Sequence, residues 1–348
     1  MDTERFGILI MPAANRVYAE SSASLMAAEL EVFNASVLGG GIADIAGETI
    51  GGVPYLTFTA PELPERAVRF LSNLSSLFAL FRLGEDEGGA LYPVQLTKLD
   101  RLDDDLLTIQ KYSGKTNEHF TKMLLNATIM STAFPEAMIE RPLRVFDPMC
   151  GRGTTLNQAL MYGYDAFGVD IDRKDFEAYS GFLRTWLQRK RMKHTIEAGP
   201  VRRDRKLLGH RFEATLGLTR EDHKAGATRQ ITVVNADTLA SEDFFPAGRF
   251  DVVVTDAPYG VQHGSRNAGG LSRSPLSLLE DAVPVWVRLL RPGGALGISW
   301  NTFVADRDAA VAVLAEQGLD VFDDGPYRQF RHRVDQSIMR DIIVARKP

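Results

Sequence analysis

The sequence predicts an α/β chain, a doubly wound and mostly parallel sheet preceded by a small α+β module. Three observations lead there. From residue 143 onward, apolar strands alternate with helical segments, the pattern of parallel strands joined by crossover helices. Several of those strands end in an aspartate followed by a turn, as in RVFDPMCG and VVVTDAPYG. Ahead of them, residues 1–108 mix short strands with amphipathic helices, and a chain of 348 residues is long enough for two domains that each bury a core.

The first region reads FGILIM as a strand, SASLMAAELEVF as a helix, short β-prone pieces around VPYLTF, ERAVRFLSNL as a second helix, then SLFALFRL and ALYPVQL. This β-α-β-β-α-β order suits a ferredoxin-like module. Asp103, Asp104 and Asp105 fall in an expected linker, after which EHFTKMLLNATIM starts a helix behind an N-cap. The strands of the second region, residues 109–348, are LRVFDP, DAFGVD, ITVVNAD, FDVVVTDAP and ALGISW. A last strand, SIMRDIIVARK, is expected to pair with the segment around RQFRHRV.

Composition narrows the function classes. Hydrophobic residues make up 45% and charged residues 24%, and no apolar run approaches the ~18 residues of a membrane span. The opening MDTERFGILI lacks the basic start of a secretory signal, so a cytoplasmic protein is expected. A single cysteine, Cys150, excludes an internal disulfide, and with six scattered histidines it gives no metal-binding spacing, so no metal is expected. Charge is divided unevenly. Residues 1–110 carry a net of −9 and residues 111–348 a net of +4.

In RVFDPMCGRGTTL a strand ends in Asp147 and turns through Gly151 and Gly153 into a helix. Glycines there let the backbone approach a ligand whose polar groups meet free amides at the helix start. A dinucleotide fingerprint wants a third glycine where this chain has Leu156. The acid before the first glycine suits instead a ligand with an ammonium group, as in methionine-containing cofactors. Asp170 and Asp172 close the next strand, where an acid can take both ribose hydroxyls, and Asp170 is favoured because Asp172 can cap the following helix. Asp237, closing ITVVNAD, can accept the adenine amino proton of the same ligand. Asp256, with Ala257, Pro258, Tyr259 and Gly260 behind it, puts an acceptor and a stacking ring at the open end of a parallel strand. An exocyclic amine, a poor nucleophile, is held there by the Asp256 carboxylate and a backbone carbonyl with its lone pair aimed at an electrophilic methyl. Tyr259 stacks on the flipped base. Cys150 reads as a small residue of a tight turn.

DPMCGRGT from Asp147 and DAPYG from Asp256 resemble the first and fourth motifs of class I S-adenosylmethionine-dependent amino-methyltransferases, whose catalytic motif is Asp/Asn-Pro-Pro-Tyr/Phe. Within that group the chain is similar to the tRNA guanine-N2 methyltransferases that often carry a THUMP domain. The resemblance spans roughly residues 112–348. It implies a Rossmann-like class I domain with S-adenosylmethionine as cofactor, a tRNA substrate, catalysis by Asp256, Ala257, Pro258 and Tyr259, and a segment YSGKTNEHF, with Lys115 and Asn117, that closes over the cofactor's methionine part. Two departures stand out. Ala257 replaces the first proline, and the N-terminal region is too short for a full THUMP domain beside a ferredoxin-like module. Because only the carbonyl of residue 257 is used, Ala257→Pro is expected to keep or improve activity.

Residues 189–229, between the second and third strands, hold 12 Lys+Arg and 5 Asp+Glu and include Arg202, Arg203 and Arg205. They are expected to form a glycine-containing excursion that tracks a phosphate backbone, against the plainer reading of a solvated loop. The Gly- and Ser-rich stretch after the catalytic motif offers His263 as a base contact. RNA, tRNA first, is the expected partner. DNA adenine or cytosine amines, glutamine amides in proteins, and a cofactor-binding scaffold that lost catalysis at Ala257 are the rival readings.

Overall fold

A computed structural model of the chain describes residues 3–12, 16–84, 89–112, 114–257 and 275–348. The N-terminal module runs β1 (Glu4–Ile10), α1 (Arg16–Ser36), β2 (Ala43–Ile50), β3 (Val53–Ala60), α2 (Glu65–Leu71), β4 (Leu77–Leu83) and β5 (Leu91–Pro93). Its sheet has the order β2-β3-β1-β4-β5 with every neighbour antiparallel.

Then follow α3 (Asp105–Thr108), α4 (Glu118–Met130), α5 (Ala137–Glu140), β6 (Arg144–Asp147), α6 (Thr154–Met161), β7 (Asp165–Asp170) and α7 (Arg173–Arg189). The hairpin β8 (His194–Arg203) and β9 (Lys206–Leu216) leads through α8 (Arg220–Lys224) to β10 (Arg229–Asn235) and β11 (Phe250–Asp256). The chain ends with α9 (Pro275–Leu289), β12 (Leu290–Asn301), α10 (Arg307–Glu316), β13 (Asp320–Phe322), β14 (His332–Arg333) and β15 (Met339–Arg346).

The large sheet has the order β13-β15-β12-β11-β6-β7-β10-β9-β8, and β14 pairs with β15 outside that path. Strands β10, β7, β6, β11 and β12 are mutually parallel, whereas β15 and β9 are antiparallel to their neighbours. The chain moves outward one way from β6 to β7 and β10, then the other way from β11 to β12. This reversal leaves a crevice at the carboxyl ends of β6 and β11, the place where doubly wound sheets take ligands.

Period-two burial divides the parallel strands between two cores. Val145, Ala166, Val233 and Val252 face a core with α4, α6 and α7, while Phe146, Phe167, Val234 and Val253 face one with α9 and α10. The first of these cores continues into the N-terminal module through Phe33, Phe58 and Leu30, so the two regions share buried surface where the sequence suggested a core for each. A buried polar cluster marks the join. Glu29 on α1 accepts hydrogen bonds from the Ser75 amide (3.1 and 3.0 Å), the Ser75 hydroxyl (2.5 Å) and the Asn126 amide of α4 (2.7 Å).

The acidic run of residues 103–105 is not a free linker. Asp105 accepts from the Trp186 indole of α7 at 2.9 Å, and Lys190 pairs with both Asp103 and Asp105 at 2.7 Å, so helix α7 gathers in the charges that looked solvated in the sequence. The basic segment 189–229 also differs from the expected excursion. Most of it is the β8–β9 hairpin, which extends the main sheet beside β10. Alternation in HTIEAGPVRR and KLLGHRFEATL supports the strands once β10 supplies an edge to pair with. No described helix is long and apolar enough to cross a membrane.

Candidate active site

The turn after β6 is built on left-handed glycines. Gly151 has φ 48° and Gly153 φ 79°, a region L side chains enter only at a cost. A Cβ on Gly153 would stand 2.2 Å from the Tyr179 ring of α7, whereas one on Gly151 would meet nothing within 4 Å. Gly153→Ala should therefore cost about 2–4 kcal/mol of stability and Gly151→Ala only about 1 kcal/mol. Denaturant midpoints of the two variants check the contrast, and equal losses would contradict it.

Asp147 lies at the floor of the crevice, 3% exposed. Burial pushes its carboxyl up to about 7, against the Met149 amide (3.1 Å) and the Thr155 hydroxyl, which favour the anion, while nearby Asp170 pushes it further up. The Thr255 hydroxyl also favours the anion, and none of these three partners is a cation. Asp170, raised by burial to about 6, accepts from the Gly151 amide (2.6 Å) with one oxygen and from the Asp172 amide (2.8 Å) with the other. It thus braces the glycine turn, and a carboxylate has about four acceptor sites, so capacity for a ligand hydroxyl is left. Asp172 caps α7 through the Lys174 amide (2.7 Å). Asp237 likewise caps the following 3-10 turn, accepting from the Leu239 amide at 3.0 Å. Beside Asp170, Ile171 is 47% exposed at the same carboxyl edge, an apolar surface that sequence reasoning missed. Cys150 is buried against Gly168, where a Cβ would come within 2.7 Å of its sulfur, and burial holds its thiol neutral by raising its pKa.

The segment ahead of α4 crosses this turn. Gln110 donates to the Arg152 carbonyl (3.4 Å), the Tyr112 hydroxyl meets the Thr154 hydroxyl (3.1 Å), and the Arg152 guanidinium lies 4.8 Å over the Tyr112 ring. At its other end the Thr116 hydroxyl donates to the Asp256 carboxylate at 2.5 Å. One strap therefore joins the glycine turn to the carboxyl end of β11. Within it, Lys115 Nζ donates to the Leu107 carbonyl (2.6 Å) and to Glu118, and Asn117 caps α4 by accepting from the His119 (2.9 Å) and Phe120 (3.2 Å) amides. Both side chains hold the strap itself, so any contact with a ligand is additional to that work.

Asp256 is received by three elements. Thr116 donates to Oδ2, the Ser299 hydroxyl of β12 donates to Oδ1, and Arg340 Nη2 of β15 stands 3.7 Å from Oδ2. Ala257 is buried, and its amide donates to the Ser299 carbonyl at 2.8 Å. That bond corrects the expectation for Ala257→Pro. Proline has no N–H to give, so the substitution removes the bond next to the residue that holds Asp256 and should lower activity and cost about 1 kcal/mol of stability. Pro258, Tyr259 and His263 lie outside the described residues. Among the described residues, no group of three or more His, Cys, Asp or Glu side chains is placed to hold a metal ion.

The basic hairpin reaches this edge of the sheet from the side. His210 pairs with Asn235, the last residue of β10, so Lys206 to Gly209 project past the carboxyl edge by about 13 Å. Asp204 (φ 51°) and Arg205 (φ 66°) make the two-residue turn at its tip. Arg202 and Arg205 are exposed, and Arg203 pairs with Asp243 at 2.6 Å.

Residues 118–277 match the family described as RMKL-like, methyltransferase domain. That stretch, a little under half of the chain, is similar to a methyltransferase domain. Its cofactor is S-adenosylmethionine, and the crevice fits that group, since a desolvated Asp147 carboxylate with neutral partners suits an ammonium ion. No curated protein sequence matches the chain. Among solved structures, it is similar to a precorrin-6y C5,15-methyltransferase from Geobacter metallireducens, at 16% identity over 72% of this chain and 98% of that one, TM-score 0.37. A ribosomal protein L11 methylase from Lactobacillus delbrueckii subsp. bulgaricus gives 16% identity, 66% and 80% coverage and TM-score 0.36. A TehB-like SAM-dependent methyltransferase from Corynebacterium glutamicum gives 15%, 62%, 85% and 0.36. Likenesses this distant say nothing of the methyltransferase's substrate.

Proposed function

We infer that this methyltransferase acts on an exocyclic amino nitrogen of a nucleic-acid base in RNA, with guanine N2 of tRNA as the first substrate to test. The observation that carries the reading is the placement of Asp256, an acceptor that takes hydrogen bonds from Thr116 and Ser299 and faces the Arg340 cation, at the strand end next to the glycine turn. When bound, the cofactor supplies an electrophilic methyl on a positively charged sulfur. The chain's own part is orientation. The amine donates its two hydrogens to the Asp256 carboxylate and the Ala257 carbonyl, which turns its lone pair toward the methyl. As the N–C bond forms the sulfur keeps the electron pair of the bond that breaks, and the nitrogen afterwards loses one proton to solvent. Asp147 receives the cofactor's ammonium group, Asp170 the ribose, and Ile171 offers its apolar surface to a ring. Tyr259 is assigned the stacking role by its place in the motif.

The β8–β9 tip supports a nucleic-acid partner. It stands about 19 Å across the strands from Asp256 by strand spacing, a reach suited to phosphates flanking a base in the crevice. Its turn also places arginine, not glycine, at a left-handed position, a strain on the order of 1 kcal/mol that a purely structural hairpin would shed. The order and pairing of β2-β3-β1-β4 support a ferredoxin-like reading of the N-terminal module, which we assign to positioning the substrate.

Isotopically labelled S-adenosylmethionine, incubated with separate pools of tRNA, rRNA, DNA and protein and followed by mass spectrometry of the digests, tests the reading. Label on an RNA amino group supports it. Label only in DNA or protein, or none, overturns it. Charge reversal at Arg202, Arg203 and Arg205 together should weaken tRNA binding and lower the log-log salt slope by about 0.7–0.9 for each lost phosphate contact. An unchanged slope would leave the hairpin a structural edge only.

A further inference from the structure

Asp256 is an anion at the edge of a buried core, and an anion used for orientation must be fixed as well as charged. Its environment draws on residues far apart in the sequence: Thr116 before α4, Ser299 on β12 and Arg340 on β15. The two hydroxyls fix direction but bring no charge. Among the described residues Arg340 brings a positive charge, and its side chain is only 6% exposed. Its guanidinium lies 4.3 Å from the ring centroid of Phe120, a fully buried residue of α4. The guanidinium thus lies over an aromatic ring, with Nη2 3.7 Å from the Asp256 carboxylate.

Across the strand pair from Arg340 stands His332, whose ring is 5.3 Å from Phe120 and whose Nδ1 is 2.9 Å from the Phe330 carbonyl. Burial, helped by Arg340, holds its pKa down to about 4, so it is neutral at working pH and does not share the cationic role. Helix α4 serves both ends of the arrangement, with Phe120 under Arg340 and Thr116 just ahead of its N-cap on Asp256. None of this follows from the catalytic motif, because Arg340 lies 84 residues beyond Asp256.

We propose that Arg340 is a positioning residue for methyl transfer, laid on Phe120 so that its guanidinium holds the Asp256 carboxylate in the orientation the acceptor amine meets. The proposal rests on Asp256 being the amine's acceptor.

The test is a double-mutant cycle on the full chain with Arg340→Met, Arg340→Lys, Asp256→Asn and the Arg340→Met/Asp256→Asn pair. Single-turnover rate, KM for tRNA, cofactor Kd and urea midpoint are read for each. Arg340→Met should lower the rate about tenfold or more with cofactor Kd within about twofold, and Arg340→Lys should recover part of the loss. In the Asp256→Asn background, loss of Arg340 should change the rate less than about twofold, because the ion pair through which it is proposed to act has gone. The urea midpoints should couple as well, with Asp256→Asn restoring part of the stability that Arg340→Met removes.

Multiplicative rate losses in the double variant would overturn the proposal, as would cofactor binding that weakens in step with the rate. If Arg340→Met does not fold, Arg340→Lys decides, because a folded lysine variant at the wild-type rate excludes a role for the planar group. A wild-type enzyme that methylates no nucleic acid removes the reading of Asp256 itself, and Arg340's role with it. Coupled urea midpoints would still show the ion pair in that event, which separates failure of the function from failure of the contact.

Discussion

Asp256→Ala should bind S-adenosylmethionine as the wild type does and lose at least about a hundredfold in methyl transfer. On the proposed reading the cofactor is held by the β6 turn and the carboxylates of β6 and β7, where Asp147 and Asp170 accept from the Met149, Gly151 and Asp172 amides. What disappears is the acceptor that turns the amine. That contact matters most as the nitrogen gains positive charge, so kcat should fall far more than KM rises. Alanine also leaves the Arg340 guanidinium without its anion, which costs stability as well. Asp256→Asn separates the two effects, because it keeps the shape and a carbonyl oxygen. It should fold normally and retain more activity than alanine. Wild-type single-turnover rates in Asp256→Ala would remove Asp256 from the reaction altogether.

The second large effect is on pH. In the free protein the Asp147 carboxyl is raised to about 7, chiefly by burial, so the folded state binds a proton there that the unfolded chain releases near 3.8. Its contribution to stability is therefore full below about pH 3.8 and is lost as pH rises through about 7, on the order of 4 kcal/mol at most. The cofactor's ammonium reverses the preference, because it pairs with the anion. Binding should tighten as pH rises from 5.5 to 7, by up to about tenfold per unit, then level off. Calorimetry near pH 6 in buffers of different ionisation enthalpy should record proton release on binding. Asp147→Asn should flatten the profile and bind about tenfold or more weakly at pH 8. A pH-independent Kd in the wild type would mean that the ammonium group goes elsewhere.

The carboxylates at the strand ends were legible in the sequence because their signal is local. Apolar runs that stop at Asp147, Asp170 and Asp256 mark strands, and a glycine pair behind the first marks a turn. What holds Asp256 was not legible, since Thr116, Ser299 and Arg340 reach it over separations that no spacing rule links. Asn117 and Asp237 look like ligand contacts in a motif and are also caps, a use that depends on where the next helix begins. The hairpin was read as an excursion from the sheet because its dense charge masks the strand alternation. Its strands gain their stability from pairing with β10, which sequence periodicity does not record. The shared core of the N-terminal module was hidden for a similar reason. Glu29 looks like a surface acid of an amphipathic helix until Ser75 and Asn126 close around it.

The hairpin also settles how this sheet ends. A strand left at the margin of a ten-stranded sheet offers a row of unpaired amides and carbonyls to any other chain. Here that strand is β8, and its HTIEAGPVRR carries Pro200 in its middle, Glu197 before it and two arginines after it. Proline removes one donor from the open row, and the charges repel a second copy arriving in register. The basic residues proposed to meet phosphates thus double as protection against edge-to-edge aggregation, so neutralising them should cost solubility even where it spares the fold.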